Sequence, residues 1–185
     1  TGKLGILGLH NVENAMAAVL AVLDVLRRRG IAPDYDRIAR AAYSFPGLEH
    51  RLERVGTFRG REFINDSKAT TVNAVLTALK SLKGQGVLIL GGRTKGDDYA
   101  KIAAGLDGKI RCLVLIGESK ESFAKIFGTY RQVTADTMDD AVAAAMRESR
   151  EGDAILLSPA CASFDMYKNY EERGDRFRET VRKLG

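Results

Sequence analysis

Apolar residues recur with two different spacings along the chain, and the change of spacing divides the chain into two parts. From Asn11 to Arg29 they return every three or four positions, which predicts an amphipathic helix that ends at Gly30. A shorter helix is predicted from Tyr35 to Tyr43, and the turn-forming residues SFPG follow it at 44–47. We therefore place a domain boundary between residues 45 and 46.

Beyond this boundary short apolar strands alternate with helices. Two strands, at residues 51–58 and 61–65, are joined by a tight turn. Three continuous apolar runs are typical of parallel strands buried on both faces: residues 87–90, 113–116 and 154–157. Helices are predicted around residues 72–82, 138–146 and 167–184. This alternation predicts an α/β fold, with a Rossmann-like and mostly parallel sheet that is flanked by helices and preceded by a helical segment.

Composition and charge exclude several classes of partner and site. The net charge of +5 suits anionic ligands, but the basic residues are spread out without interleaved aromatic residues, so we expect no nucleic-acid partner. No apolar run approaches the roughly 20 residues that span a bilayer, so we expect no membrane association. Cys112 and Cys161 match no zinc-binding pattern, and we expect free thiols and no metal ligands. The first residue is Thr1, and we expect the chain to begin inside a longer protein.

Four polar segments can carry chemistry. Parallel sheets bind ligands at the carboxyl ends of their strands. Three segments follow predicted strands: NDSKATT at 65–71, GGRTKGDD at 91–98 and SPACASFD at 158–165. The fourth, GLHNVEN at 8–14, opens the first helix, where backbone donors can meet an anion.

Each segment has a functional and a structural interpretation. Asp66 can accept hydrogen bonds from ribose hydroxyls and Lys68 can neutralise a phosphate or carboxylate, but such a loop can also only cap a helix. The glycines around Lys95 let the backbone approach an anion, although a plain turn fits as well and the loop is not a Walker A motif. Asn11 can likewise cap the first helix, and Cys161 has no activating base nearby in sequence.

The order of these segments and the residues in them closely resemble the motifs of the Mur ligase family, in particular those of its members that add D-glutamate. The resemblance rests on residues 63–70, 91–96 and above all 157–174. It implies that residues 1–45 are the end of a central ATP-binding domain and that residues 46–185 are the C-terminal domain that binds D-glutamate.

The resemblance also implies a reaction. Such ligases join UDP-N-acetylmuramoyl-L-alanine to D-glutamate through an acyl phosphate, during peptidoglycan precursor synthesis in the cytoplasm. They use ATP and Mg²⁺, and we expect the magnesium ligands to lie upstream of this chain. We further expect a monomer, and we expect this chain to be inactive alone because it contains no Walker A loop.

Roles can be carried over to the residues that match the family's motifs. Asn14, with His10 and Asn11 beside it, is expected to contact the adenine of ATP. The ribose region is expected to contact Arg51 and Asp66. The residues expected around D-glutamate are Thr70, Lys95, Ser163, Phe164 (through its backbone) and Tyr170. We expect Lys95 and Lys68 to take part in catalysis, with Lys68 near the substrate or phosphate.

Three alternatives stay open at this point. A sibling Mur ligase or a folylpolyglutamate-type ligase would share the fold and the ATP chemistry. A Rossmann-type oxidoreductase would carry a glycine-rich dinucleotide motif after its first parallel strand, and this chain has none. The chain can also be a non-catalytic nucleotide-binding module.

Overall fold

Two compact units, Thr1–Leu48 and Glu49–Gly185, make up the chain. The computed structural model describes residue 6 and residues 8–185, except for the side chains of Leu9 and His10. The prediction for the His10 side chain therefore lies outside the described residues. None of the described helices is long and apolar enough to cross a membrane.

The first unit holds two helices, α1 (Leu9–Arg28) and α2 (Tyr35–Ser44). Both were predicted, but α1 begins earlier than expected, with Gly8 at its N-cap. Asn11 consequently lies inside the first turn, so the structural interpretation of this segment, in which Asn11 caps the helix, is wrong. Asp34 caps α2 by accepting a hydrogen bond from the Arg37 N–H at 2.9 Å.

The second unit is a six-stranded α/β layer structure, which confirms the predicted fold class. Its strands are β1 (Glu53–Phe58), β2 (Arg61–Asn65), β3 (Gly86–Gly91), β4 (Ile110–Ile116), β5 (Gln132–Thr134) and β6 (Ala154–Leu157). Its helices are α3 (Val72–Ser81), α4 (Lys120–Ile126), α5 (Met138–Glu148) and α6 (Tyr170–Arg182), with a 3-10 helix at Tyr99–Gly105. The strand order is β1-β2-β6-β3-β4-β5, in which only β1 and β2 pair in antiparallel fashion.

The core lies between the sheet and the helices that cover it. Every residue of β3 and β6 is buried, as the continuous apolar runs predict for strands with both faces covered. Phe63 of β2 packs against Phe177 of α6 with ring centroids 6.3 Å apart. Residues from β3, β4, β6 and α5 continue this cluster. Helix α6 is therefore fixed against the strand that leads into the first polar loop.

Several element boundaries differ from the prediction for local reasons. β1 begins at Glu53 and not at residue 51, because His50 and Leu52 have φ angles of 61° and 46°, which an extended strand excludes. α6 begins at Tyr170 and not at residue 167, since Asn169 caps it and accepts from the Glu172 N–H at 2.7 Å. The 3-10 helix, α4 and β5 were not predicted.

The strand order decides where the polar loops lie. β6 is the last strand in sequence but pairs with both β2 and β3. After β3 the chain continues to β4 on one side of β3, and it later returns to place β6 on the other side. This reversal of strand order creates a topological switch point between β3 and β6. The segments after β2, β3 and β6 consequently meet at one edge of the sheet. These are three of the four polar segments singled out in the sequence.

Candidate functional site

The loops that follow β3 and β6 are joined by backbone hydrogen bonds. The N–H groups of Arg93 and Ala162 each donate to the other's carbonyl oxygen at 3.0 Å. Gly92, with a φ of 132°, makes this approach possible, because an added Cβ would lie 2.4 Å from the Ala162 carbonyl oxygen. One of the glycines that the sequence suggested for anion binding, Gly92, thus serves first to bring two loops together.

The loop after β4 joins the same assembly. The Glu118 N–H donates to the Asp165 carboxylate at 2.9 Å, and the Gly92 N–H donates to the Ser119 hydroxyl at 3.1 Å. Arg93 pairs with Glu118 at 2.8 Å, and this hydrogen bond holds the pKa of the Glu118 carboxyl below its usual value. The loop that carries Phe164 and Asp165 is therefore attached at two places.

Asp66 is a buried carboxyl at the start of the loop after β2. It accepts hydrogen bonds from the Leu52 N–H at 3.1 Å and from the Ser158 hydroxyl at 2.9 Å. Burial raises the pKa of Asp66 to about 7, although both hydrogen bonds and the charge of Arg51 act in the opposite direction. The carboxyl joins the segments that precede β1 and follow β6.

The raised pKa predicts a pH-dependent stability. Between about pH 4 and pH 7 the folded chain keeps a proton on Asp66 that the unfolded chain has released, so the free energy of unfolding falls as the pH rises through this window. At about 1.4 kcal/mol per pH unit, this contribution is at most about 4 kcal/mol. Asp66→Asn should remove the fall, which urea denaturation from about pH 5 to about pH 8 measures. Asp98→Asn, at an exposed position, is the control. Parallel pH curves for Asp66→Asn and the wild type would contradict the prediction.

Two exposed lysines meet hydroxyl groups at the mouth of the sheet. The Lys68 ammonium donates to the Tyr170 hydroxyl at 3.0 Å and lies 4.8 Å from the centroid of its ring. The Lys95 ammonium donates to the Thr70 hydroxyl at 3.3 Å. The Thr70 N–H in turn donates to the Lys68 carbonyl at 2.8 Å. The structure thus joins four predicted site residues, which we call the lysine group: Lys68, Thr70, Lys95 and Tyr170.

The lysine group carries two ammonium groups outside any ion pair, although the neighbouring Glu171 carboxylate hydrogen-bonds with Tyr170, and this bond, with a smaller contribution from the charge of Lys68, lowers the pKa of Glu171. Throughout residues 8–185, as far as they are described, neither Lys68 nor Lys95 forms an ion pair with a carboxylate. Several other basic side chains in the second unit do, among them Arg93, Arg111 and Arg178. The two ammonium groups are therefore available to an anionic ligand.

The remaining predicted site residues are placed more simply. Ser163 is buried in the loop after β6, and the neighbouring Phe164 is 63% exposed. Arg51 is exposed and directly precedes the buried Leu52. In the first unit, Asn14 is exposed on α1 and donates to the side-chain oxygen of Asn11 at 3.3 Å.

Cys161 is not a nucleophile in this arrangement. Burial raises the pKa of its thiol to about 11, so the thiol stays protonated at neutral pH. Both cysteines are buried and free. In the part of the chain that the structure describes, no cluster of three or more His, Cys, Asp or Glu side chains is placed to hold a metal ion.

Three buried polar residues that support the site had no predicted role: His50, Asn65 and Arg173. The His50 ring lies edge-on to the Tyr170 ring at a centroid distance of 6.0 Å, and its Nδ1 is 3.1 Å from the Asn65 side-chain nitrogen. Arg173 of α6 is only 1% exposed and contacts the loops after β2 and β6. Arg173 and Gly174 stand inside the 157–174 motif, but a single sequence gives no sign that they are buried.

Comparison with known proteins decides the family. Residues 50–161 match the family described as "Mur ligase, glutamate ligase domain", which is more than half of the chain. The chain belongs to the Mur ligase family. The match covers β1 to β6 and includes the whole lysine group except Tyr170.

A curated relative agrees with the Mur ligase assignment, and two solved structures share the fold. The chain is 45% identical over 178 residues to the UDP-N-acetylmuramoylalanine–D-glutamate ligase of Chloroherpeton thalassium, which covers 96% of this chain and 37% of that protein. The chain thus spans well under half the length of this relative. Its fold is similar to that of UDP-N-acetylmuramate-alanine ligase from Thermotoga maritima, with a TM-score of 0.67 and 16% identity over 98% of this chain and 40% of that one. Folylpolyglutamate synthase from Mycobacterium tuberculosis gives a TM-score of 0.64 and 20% identity over 98% of this chain and 41% of that one. At such identities the two structures show the fold alone.

Proposed function

We propose that this Mur ligase chain is the D-glutamate-holding part of an ATP-dependent ligase, which joins D-glutamate to UDP-N-acetylmuramoyl-L-alanine in peptidoglycan precursor synthesis. The observation that carries the proposal is the lysine group. Two unpaired ammonium groups and two hydroxyls from separate loops face one edge of the sheet, as a ligand with two carboxylates requires. The name of the 45% identical relative supports D-glutamate as that ligand.

The reaction explains why positive charge is concentrated here. ATP transfers a phosphoryl group to the carboxylate of UDP-N-acetylmuramoyl-L-alanine, giving an acyl phosphate and ADP. The amine of D-glutamate attacks the acyl carbon, loses a proton, and the tetrahedral intermediate expels phosphate as the amide forms. Negative charge develops in both steps, so ammonium groups held in place beforehand stabilise both transition states.

We assign the ligand contacts as follows. Lys95, Thr70 and Ser163 hold the carboxylates of D-glutamate, supported by the backbone of Phe164 and by Tyr170 beside the amino acid. Lys68 lies near the substrate or phosphate.

The nucleotide contacts and the setting complete the proposal. Arg51 and Asp66 hold the ribose region of ATP, and Asn14, with His10 and Asn11, contacts the adenine. On this view residues 1–45 are the end of the central ATP-binding domain, and residues 46–185 are the C-terminal domain. Mg²⁺ is assigned to residues outside this chain. We place the enzyme in the cytoplasm as a monomer.

A substrate panel tests the proposed function. The full-length protein is incubated with ATP, UDP-N-acetylmuramoyl-L-alanine and one amino acid at a time, and released phosphate is measured. We expect D-glutamate to support at least about 100-fold more phosphate release than L-glutamate, L-alanine or D-alanine, since a ligand whose carboxylates are missing or differently placed leaves donors of the site unpaired. This chain alone, with the same substrates, should release no phosphate.

Two outcomes would overturn this function. Equal release with another amino acid, or with a folate substrate and L-glutamate, would point to a sibling or folylpolyglutamate-type ligase. Robust phosphate release by this chain alone would contradict the assignment of the remaining ATP chemistry to residues outside it.

A further inference from the structure

Arg173 is the largest fully buried side chain of the chain's described core, at 1% exposure. It extends from the first turns of α6 into the space between the loops after β2 and β6. Its Nε donates to the Ser67 hydroxyl at 3.0 Å and its Nη2 to the Ser67 carbonyl at 2.8 Å. Its Nη1 and Nη2 donate to the Cys161 carbonyl at 3.1 Å and 3.2 Å. One guanidinium thus holds both loops at once.

The chemistry of this contact is unusual for a buried charge. No carboxylate forms an ion pair with Arg173 anywhere in the described residues, and its acceptors are two backbone carbonyls and one hydroxyl. Burial lowers the pKa of Arg173 to about 10, so the group remains charged at neutral pH. A buried cation without an ion-pair partner is costly to keep, because the charge loses its hydration.

The two loops that Arg173 joins carry the two sides of the proposed amino-acid site. Ser67 directly precedes Lys68 and lies within the segment that leads to Thr70. Cys161 lies two positions before Ser163. The Ser67 hydroxyl also donates to the Tyr170 carbonyl at 2.7 Å. Ser67 therefore connects Arg173 to the backbone of a residue of the lysine group. The distance between the lysine group and Ser163 therefore depends on the Arg173 guanidinium, which lies between Ser67 and Cys161.

We propose that Arg173 is a positioning residue whose planar guanidinium sets the separation of the loops that hold the two carboxylates of the substrate. This proposal rests on the proposed function, because it concerns the amino-acid site of that reaction. Only a fork of donors can reach Ser67 and Cys161 together. A lysine keeps the charge but offers one donor atom on a differently shaped side chain, so it cannot hold both loops.

Arg173→Lys in the full-length protein separates charge from geometry. We expect the KM for D-glutamate to rise by about 10-fold or more, while the KM for ATP changes by less than about twofold. Arg176→Lys is the matched control on the same helix, since Arg176 forms only surface ion pairs with Asp139 and Glu179. It should leave both KM values unchanged. A folded Arg173→Lys enzyme with an unchanged KM for D-glutamate would overturn the proposal, because charge alone would then suffice.

Ser67→Ala provides a second, milder test that holds even if Arg173→Lys does not fold. It removes one acceptor of Arg173, and we expect a rise of about threefold or more in the KM for D-glutamate, with the KM for ATP unchanged. In the double variant the two effects should not multiply, since both act through the same contact. An unchanged KM in Ser67→Ala, or fully multiplicative effects, would count against Arg173 as the connection. A wild-type enzyme that shows no D-glutamate-dependent phosphate release contradicts the proposed function itself, so the two failures are distinguishable.

Discussion

Lys95→Ala in the full-length protein is expected to raise the KM for D-glutamate by between about 10- and 100-fold, while the KM for ATP changes by less than about threefold. The Lys95 ammonium is exposed, has no carboxylate partner in the described residues and lies 3.3 Å from the Thr70 hydroxyl. A hydrogen bond to a charged group contributes about 1.5–3 kcal/mol, which corresponds to this range of KM. Steady-state phosphate release at varied D-glutamate, and separately at varied ATP, measures both constants.

Lys101→Ala is the matched control for this variant. Lys101 is an exposed lysine of the 3-10 helix that follows the same loop, and its ammonium lies 3.6 Å from the Asp98 carboxylate. Its removal should leave both KM values within about twofold of the wild type. Equal losses for D-glutamate and ATP in Lys95→Ala would remove Lys95 from its proposed role.

Gly174→Ala is expected to destabilise the folded chain by about 1–3 kcal/mol, although alanine normally favours a helix over glycine by about 1 kcal/mol. An added Cβ would lie 2.2 Å from the His50 Nδ1 and 3.1 Å from the Asn65 side-chain nitrogen. Both neighbours are buried, so the helix or the His50 ring must move. Urea denaturation measures the change, with Gly84→Ala as the control because no atom lies within 4 Å of its added Cβ.

The sign of the Gly174→Ala effect makes the test decisive. Wherever space is available, replacing a helical glycine by alanine stabilises a protein by restricting the unfolded chain. A variant as stable as the wild type, or more stable, would show that α6 does not approach His50 as closely as the structure has it. A loss would instead show that glycine at position 174 is needed for the close approach of α6 to His50.

Sequence patterns predicted the elements that are long or buried on both faces. β3 and β6 were found because each is a continuous apolar run, and α5 because its apolar residues share one face. β5 has three residues, none of them buried, so no hydrophobic pattern marks it. α4 is seven residues long with Phe123 as its buried residue, too short for a periodicity to be visible. The start of β1 was wrong because left-handed backbone angles at His50 and Leu52 leave no sign in a single sequence.

The meeting of the polar loops at one edge of the sheet was predicted because parallel strands place the loops that follow them at their carboxyl ends. Lys68, Thr70 and Lys95 were chosen on this ground and on the family resemblance, and the structure brings them together with Tyr170. The supporting layer could not be predicted. Asp66 was predicted as a ribose contact and Arg173 was given no role, and only the tertiary fold shows that both are buried. Long-range contacts of this kind depend on the insertion of β6 between β2 and β3, which no local pattern encodes.

The central place of β6 also constrains the order in which the chain can fold. During synthesis β2 and β3 emerge long before β6, and until then each can pair on one side only, β2 with β1 and β3 with β4. The edges of β2 and β3 that later pair with β6 stay exposed until then. Formation of the complete sheet is therefore slow, and the nascent chain is prone to aggregation. Stop codons or truncations before residue 154 should therefore give insoluble products and not shortened, partly functional domains.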